Sequence, residues 1–183
     1  MRGIDVGGWG AYRGVSSHGP GLANTNLSQR FGTLSSPILG RRMTMNPTAI
    51  LIPVLALVGL TFTVLTLIPY QRFRAISARQ VTVGDFRYGE SPNVPGRVSL
   101  PNRNMMNLLE MPVLFYVVCL VAYVSGHVDA LIVNLAWAFV ALRVVHSLVH
   151  LSYNDVQHRL VAFTLSNFVI VAMWLRLLLQ LSA

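Results

Sequence analysis

The chain has 183 residues, 54% of them hydrophobic and 11% charged, with a formal net charge of +8. A water-soluble domain carries about 25% charged residues, so the composition excludes an ordinary soluble enzyme and points to a protein dissolved in lipid. Nor is the charge that of a nucleic-acid binder: all 14 basic residues are arginine, five before the first apolar stretch and six between Arg72 and Arg103, which is membrane-flanking charge.

In chain order, residues 1–44 come first, with 9 of the 14 glycines and no apolar run. They lack the apolar core of a signal peptide. We read them as a glycine-rich disordered tail or an over-long start, with Met43 or Met45 as alternative starts, ahead of a membrane domain over residues 45–183. Four stretches in that domain are long enough to cross a bilayer, which takes roughly 20 apolar residues each. They run about Ala49–Ile68, Asn104–Val124, Ala130–Leu151 and Leu160–Leu181. The spacing predicts an all-α membrane protein, a bundle of four transmembrane helices. Between the first two spans lies a long loop with Pro92, Pro95 and Pro101, and Pro101 is placed to open the second helix, where a missing N–H costs nothing. The other two connections, "SGHVDA" and "SYNDVQH", are short and make antiparallel neighbours. With the tail left out, the positive-inside bias puts the 70–103 loop in the cytoplasm and both termini outside. We take the compartment to be a bacterial inner membrane. Arg72, Arg74 and Arg79 are read as setting this orientation, with phospholipid headgroups as partners.

The second span opens with polar residues. Arg103, Asn107 and Glu110 stand at i, i+4 and i+7 and so share a helix face, spread over about 10 Å along the axis. A carboxylate as deep as Glu110 is costly unless it is paired or faces a watery cavity. The third span repeats the device near its end with Arg143, His146 and His150, and Arg159 opens the fourth. The topology brings all seven to one half of the membrane. Two readings follow: a network that locks the bundle together, or a site. As a site, three arginines and one glutamate suit a small zwitterion carrying more than one carboxylate, and an arginine near a thiol favours the thiolate. His146 and His150 have no carboxylate or cysteine at metal-ligand spacing. Cys119, mid-span, reads as a packed thiol. His127 and Asp129 read as solvated turn residues, and Arg176 as a side chain reaching outward to water.

"R-x-x-x-N-x-x-E" at Arg103, Asn107 and Glu110, followed by Pro112 and Phe115, resembles the second-helix signature of the MAPEG family, the membrane-associated proteins in eicosanoid and glutathione metabolism. The stretch "WAFVALRVVHSLVHLSYNDVQHRL" is similar to the branch of the microsomal glutathione transferases and prostaglandin E synthases, in a bacterial-type form. The resemblance covers roughly Met45 to the C-terminus. It implies a homotrimer of four-helix protomers with glutathione as co-substrate, held between neighbours on the cytoplasmic side. Arg103, Asn107 and Glu110 would then hold the peptide's polar groups, Arg143, His146 and His150 would line the pocket, and Arg159 would stabilise the thiolate. The implied activity is that of a glutathione transferase or peroxidase acting on hydrophobic electrophiles drawn from the membrane lipids. His150 and Phe163 depart from the pattern, since catalytic relatives often carry tyrosines there. The family also includes a binding protein without catalysis, so the alternative is a non-catalytic membrane protein that binds lipid or a small anion. A transporter is disfavoured, because the spans lack paired broken helices.

Overall fold

A computed structural model describes residues 46–182; the glycine-rich segment 1–44 lies outside the described residues. Four helices follow one another, α1 (Leu51–Ser77), α2 (Gly96–Val124), α3 (Ala130–Leu151) and α4 (Val156–Leu181). All four are long and apolar enough to cross a membrane.

Each helix begins for a local reason. A 3-10 turn, Pro47–Ile50, leads into α1, and Asn46 caps that turn by accepting the N–H of Thr48 at 3.1 Å. Inside α1, Thr61, Thr63 and Thr66 donate their hydroxyls to the carbonyls of Leu57, Gly59 and Thr63, which satisfies the polar groups of a helix that faces lipid. α1 runs nine residues past Ile68. Pro69 inside it withdraws only the one N–H that would meet Leu65, and one lost bond does not end a long helix. Beyond α1, Asp85 accepts from the N–H and hydroxyl of Thr82 and from the hydroxyl of Ser91, folding the loop on itself. α2 begins at Gly96, five residues before Pro101. The expected start at Pro101 is therefore corrected: Pro95 is the extended N-cap, and the N–H of Val98 already bonds its carbonyl at 2.8 Å. Pro101 falls in the second turn and is buried. α3 and α4 are capped by Asp129 and Asp155, whose carboxylates accept the N–H groups of Ile132 at 2.8 Å and His158 at 2.9 Å.

The packing places α3 at the centre. Half of its apolar window is buried, more than in any other helix, and it packs most extensively on α4, while α1 packs most on α2. Phe115 of α2 stacks on Phe139 of α3, with centroids 4.7 Å apart. Ala122 and Ala136 are fully buried beside them, as small residues are where membrane helices approach closely. Outward, the four helices present leucine, valine and phenylalanine, the surface that lipid requires.

The two ends of the bundle differ. At the end where α2 and α3 join, Asp129 also accepts from Arg176 (Nε, 3.0 Å) and Gln180 (Nε2, 3.0 Å) of α4. Asp129 and Arg176 are thus an ion pair, where the sequence suggested two side chains that each meet water alone. The reason is register: Asp129, at the first turn of α3, lies level with the last turn of the antiparallel α4. The other end, where α1 and α3 finish and α2 and α4 begin, carries the polar cluster.

Candidate functional site

The cluster is built around Arg143, a fully buried arginine in the middle helix. One of its amino groups, Nη2, donates to the main-chain carbonyl of Asn107 on α2. Nε and Nη1 of Arg143 meet no hydrogen-bonding partner among the described residues. Its guanidinium lies 5.8 Å from the ring centroid of Phe163 on α4, within cation–π range.

One turn further along α3, His146 sits 3.1 Å by Nδ1 from the carbonyl of Arg159. A carbonyl only accepts, so Nδ1 carries the proton and Nε2 is left as the lone-pair nitrogen. That Nε2, and Nδ1 of His150, have no partner among the described residues. Arg159 comes in from the start of α4. Its Nη1 donates to Oδ1 of Asn154 at 2.6 Å and lies 3.4 Å from Nε2 of His150. Asn154 holds a left-handed backbone, φ 53°, in the α3–α4 turn, a conformation asparagine tolerates better than most residues. Asp155 beside it keeps its carboxyl below the ordinary range because the N–H of His158 bonds it.

A cleft of about 200 Å3 adjoins this set, lined by Asn107, His146, Val156, Arg159, Leu160 and Phe163 but not by Arg143 or His150. Of the sequence-predicted residues, the fold brings together Asn107, Arg143, His146, His150 and Arg159. Arg103 and Glu110 are exposed on the outward side of α2; the Arg103 carbonyl accepts from the Asn107 amide at 3.1 Å, but neither the Arg103 nor the Glu110 side chain bonds or pairs with the others among the described residues.

Two further polar residues belong to the cluster. Asn104 is fully buried and accepts from the Ser147 hydroxyl at 3.3 Å, with its amide nitrogen unpartnered. The signal was present: Asn104 is in register with Leu108, Phe115, Val118 and Ala122, the buried stripe of α2, whereas Asn107 belongs to the stripe beside it. Asn154 left no such signal, because its role comes from a turn conformation. Tyr153 is the ring hydroxyl nearest in sequence, but it points to His158 at 3.0 Å and is exposed. None of the cleft-lining residues carries a hydroxyl.

Chemically, the arrangement offers buried cationic donors with unfilled hydrogen-bonding capacity, one imidazole lone pair, and a partly apolar mouth. It suits an anion with several acceptor atoms. Residues 50–179 match the MAPEG family. No curated protein and no solved structure matches the chain.

Proposed function

The chain belongs to the MAPEG family, and we propose that it is an integral membrane glutathione-dependent transferase or peroxidase acting on hydrophobic electrophiles. The observation that carries this reading is the fully buried Arg143, with two under-committed nitrogens, held against Asn107 and Phe163, which line one cleft together with His146 and Arg159. A buried guanidinium with two unpartnered nitrogens is costly unless an anion meets it. Glutathione supplies two carboxylates for such donors and an amine for Glu110.

In this reading Arg143 and Asn107 hold a carboxylate and peptide groups of glutathione, His146 accepts a peptide N–H at Nε2, and His150 adds a polar contact. Arg159, whose Nε and Nη2 donate to no described residue, faces the sulfur and favours the thiolate by about 1.4 kcal/mol per unit of lowered thiol pKa. The thiolate attacks the electrophilic carbon of a lipid-soluble substrate and displaces its leaving group. With a hydroperoxide, the thiolate of one glutathione takes the outer oxygen as the O–O bond breaks and the alcohol leaves, and a second glutathione converts the resulting sulfenic acid to the disulfide and water. A cleft of about 200 Å3 is smaller than the roughly 300 Å3 at which ligand pockets begin. We therefore place the rest of the site on a neighbouring protomer of a homotrimer, against the α2 face that exposes Arg103 and Glu110. The polar cluster then lies on the cytoplasmic side of a bacterial inner membrane, with the 70–103 loop.

A second reading is a member that binds glutathione or a related small anion without chemistry. It is favoured by Phe163, which brings a bare ring to the cleft. Isothermal titration of the detergent-purified protein with glutathione tests both, beside Glu110→Gln, Arg103→Ala and Arg159→Ala. Saturable heat lost in the first two variants supports the site, and no heat up to millimolar glutathione overturns it. Turnover of an aryl halide or organic hydroperoxide that vanishes in Arg159→Ala, with binding kept, assigns the chemistry to that arginine. Binding without turnover in the wild type selects the second reading.

A further inference from the structure

The arginines near the start and end of the long loop read alike in the sequence, yet the fold divides them. Arg72 is held in place: it donates to Glu90 at 3.5 Å and lies 4.7 Å over the ring of Phe86. Arg87 lies 5.5 Å over Tyr88. Arg74 and Arg97 form no side-chain hydrogen bond or ion pair with any described residue, and both line one cavity of about 650 Å3. The cavity sits where α1 ends, α2 begins and α3 finishes, the level at which the chain leaves the apolar slab.

Its lining has two characters. Gln71, Arg74, Gln80 and Arg97 supply donors and two full positive charges, while Leu100 and Leu151 are part of an apolar wall. No carboxylate is among the lining residues. The first turn of α2 adds to the positive side. Pro95 caps it without a side-chain acceptor, and the N–H groups of Gly96 and Arg97 have no partner among the described residues, so the positive end of a 29-residue helix faces the same space. The end of α3 opposes this with about half a negative charge. The hydroxyl and N–H of Ser152 fold back onto the Leu148 carbonyl and mute it further. Two guanidinium charges outweigh what remains.

We propose that this cavity is a binding site for a phosphate-ester anion, distinct from the thiol site at Arg159. Guanidinium groups match phosphate oxygens in pairs, and the volume lies within the 300–1,000 Å3 typical of ligand sites. The same chemistry is carried by an anionic phospholipid headgroup, whose acyl chains would follow the apolar wall, and by a soluble phosphate compound. The cavity shares no lining residue with the cleft at Arg159, so the proposal stands or falls independently of the glutathione reading.

The test is native mass spectrometry of delipidated full-length protein titrated with phosphatidylglycerol or phosphatidylcholine, with and without millimolar inorganic phosphate. Arg74→Gln, Arg97→Gln and the double variant are compared with Arg87→Gln, an arginine outside the cavity. Each cavity arginine contributes about fivefold to binding of an anionic lipid, and the pair about 25-fold. Arg87→Gln behaves as wild type. Phosphatidylglycerol binding that weakens in the variants and resists inorganic phosphate identifies a headgroup site. Displacement by inorganic phosphate, with the same loss in the double variant, identifies a soluble phosphate ligand and equally supports the anion site. A double variant that binds phosphatidylglycerol and phosphate as tightly as wild type overturns it, as does a wild type that binds neither. Gel filtration of each variant confirms that the fold is retained.

Discussion

The two ends of this bundle use the same residue types in opposite ways. At the α2–α3 end, one carboxylate, Asp129, gathers donors from Ile132, Arg176 and Gln180, so its charged groups are matched within the chain. At the other end Arg143 is more deeply buried, yet among the described residues two of its nitrogens are unmatched, as are Nε2 of His146, Nδ1 of His150 and the amide nitrogen of Asn104. In a bilayer both are expensive placements of polar groups. A matched set behaves as a clamp that holds helices together; an unmatched set holds capacity for something outside the chain. The first should therefore matter for stability and the second for binding, and each prediction below tries to cross that division.

The largest effect belongs to Arg143→Met. It removes a buried cation and leaves a side chain of similar length, a change that is often neutral or stabilising to a fold. Truncating a buried charged contact to a ligand costs about 2–5 kcal/mol, so glutathione affinity falls by about 30-fold or more while the thermal midpoint stays at or above that of the wild type. Paired titration and thermal-unfolding experiments read both quantities. A midpoint lowered as far as by loss of Asp129 would break the comparison and make Arg143 a clamp too.

Asp129→Ala is the reciprocal change. It removes the N-cap of α3, about 1 kcal/mol, and a charge-assisted contact to Arg176 worth about 1 kcal/mol after discounting for the partial exposure of the pair. Stability falls by about 2 kcal/mol in sum, with glutathione affinity unchanged. Arg176→Met in the same background separates the two parts, because it restores only what the unpaired charge cost.

Much of this contrast was visible in the sequence, and what was hidden has a physical cause. Four apolar runs announce four helices, because nothing else satisfies a backbone in lipid. The depth of Arg143, His146 and His150 follows from spacing alone. Two features needed three dimensions. The stripe of Arg103, Asn107 and Glu110 on α2 is one helical position away from the buried stripe that carries Asn104, and a rotation of about 100° decides which polar residue meets the core. The Asp129–Arg176 pair joins residues 47 apart in sequence, and only the register of two antiparallel helices brings them level. The reach of α1 past Pro69 and the early start of α2 at Gly96 were hidden for another reason. A proline removes one bond, and whether the helix survives depends on what the next turn packs against.

Asn154 sharpens the comparison at the unmatched end, since among the described residues it accepts the shorter of the two hydrogen bonds of Arg159 Nη1, the longer going to His150. Asn154→Gly keeps the left-handed turn but removes the acceptor at 2.6 Å from Nη1. Turnover of a glutathione-dependent reaction falls by about tenfold, the loss of one charged hydrogen bond of about 1.4 kcal/mol, with glutathione affinity held. Asn154→Ala shows the same loss of turnover and also loses about 1 kcal/mol of stability, because alanine resists positive φ. If the glycine variant turns over like the wild type, Arg159 needs no support from Asn154.

The smallest effect is one of pH, and it belongs to the matched end. Burial raises the carboxyl of Asp129, but the N–H of Ile132 and then Arg176 more than offset this and hold it below its ordinary value. A carboxylate whose folded pKa is depressed binds a proton more readily when unfolded. Its stabilisation is therefore complete above the unfolded value of about 3.9 and is lost as pH falls through that value toward the folded one. The thermal midpoint should accordingly be flat with respect to this residue from neutral pH down to about 5 and decline below about 4. In Asp129→Asn, which keeps an acceptor for Ile132 and carries no titrating proton, the part of the decline due to this residue disappears. The difference between the two pH curves isolates the clamp from every other acidic group, because Glu110, Asp155 and the loop carboxylates are common to both proteins. If the curves run parallel down to pH 3, the charge of Asp129 contributes nothing. The far end would then be held by its N-cap and packing alone, with the ion pair a consequence of the fold.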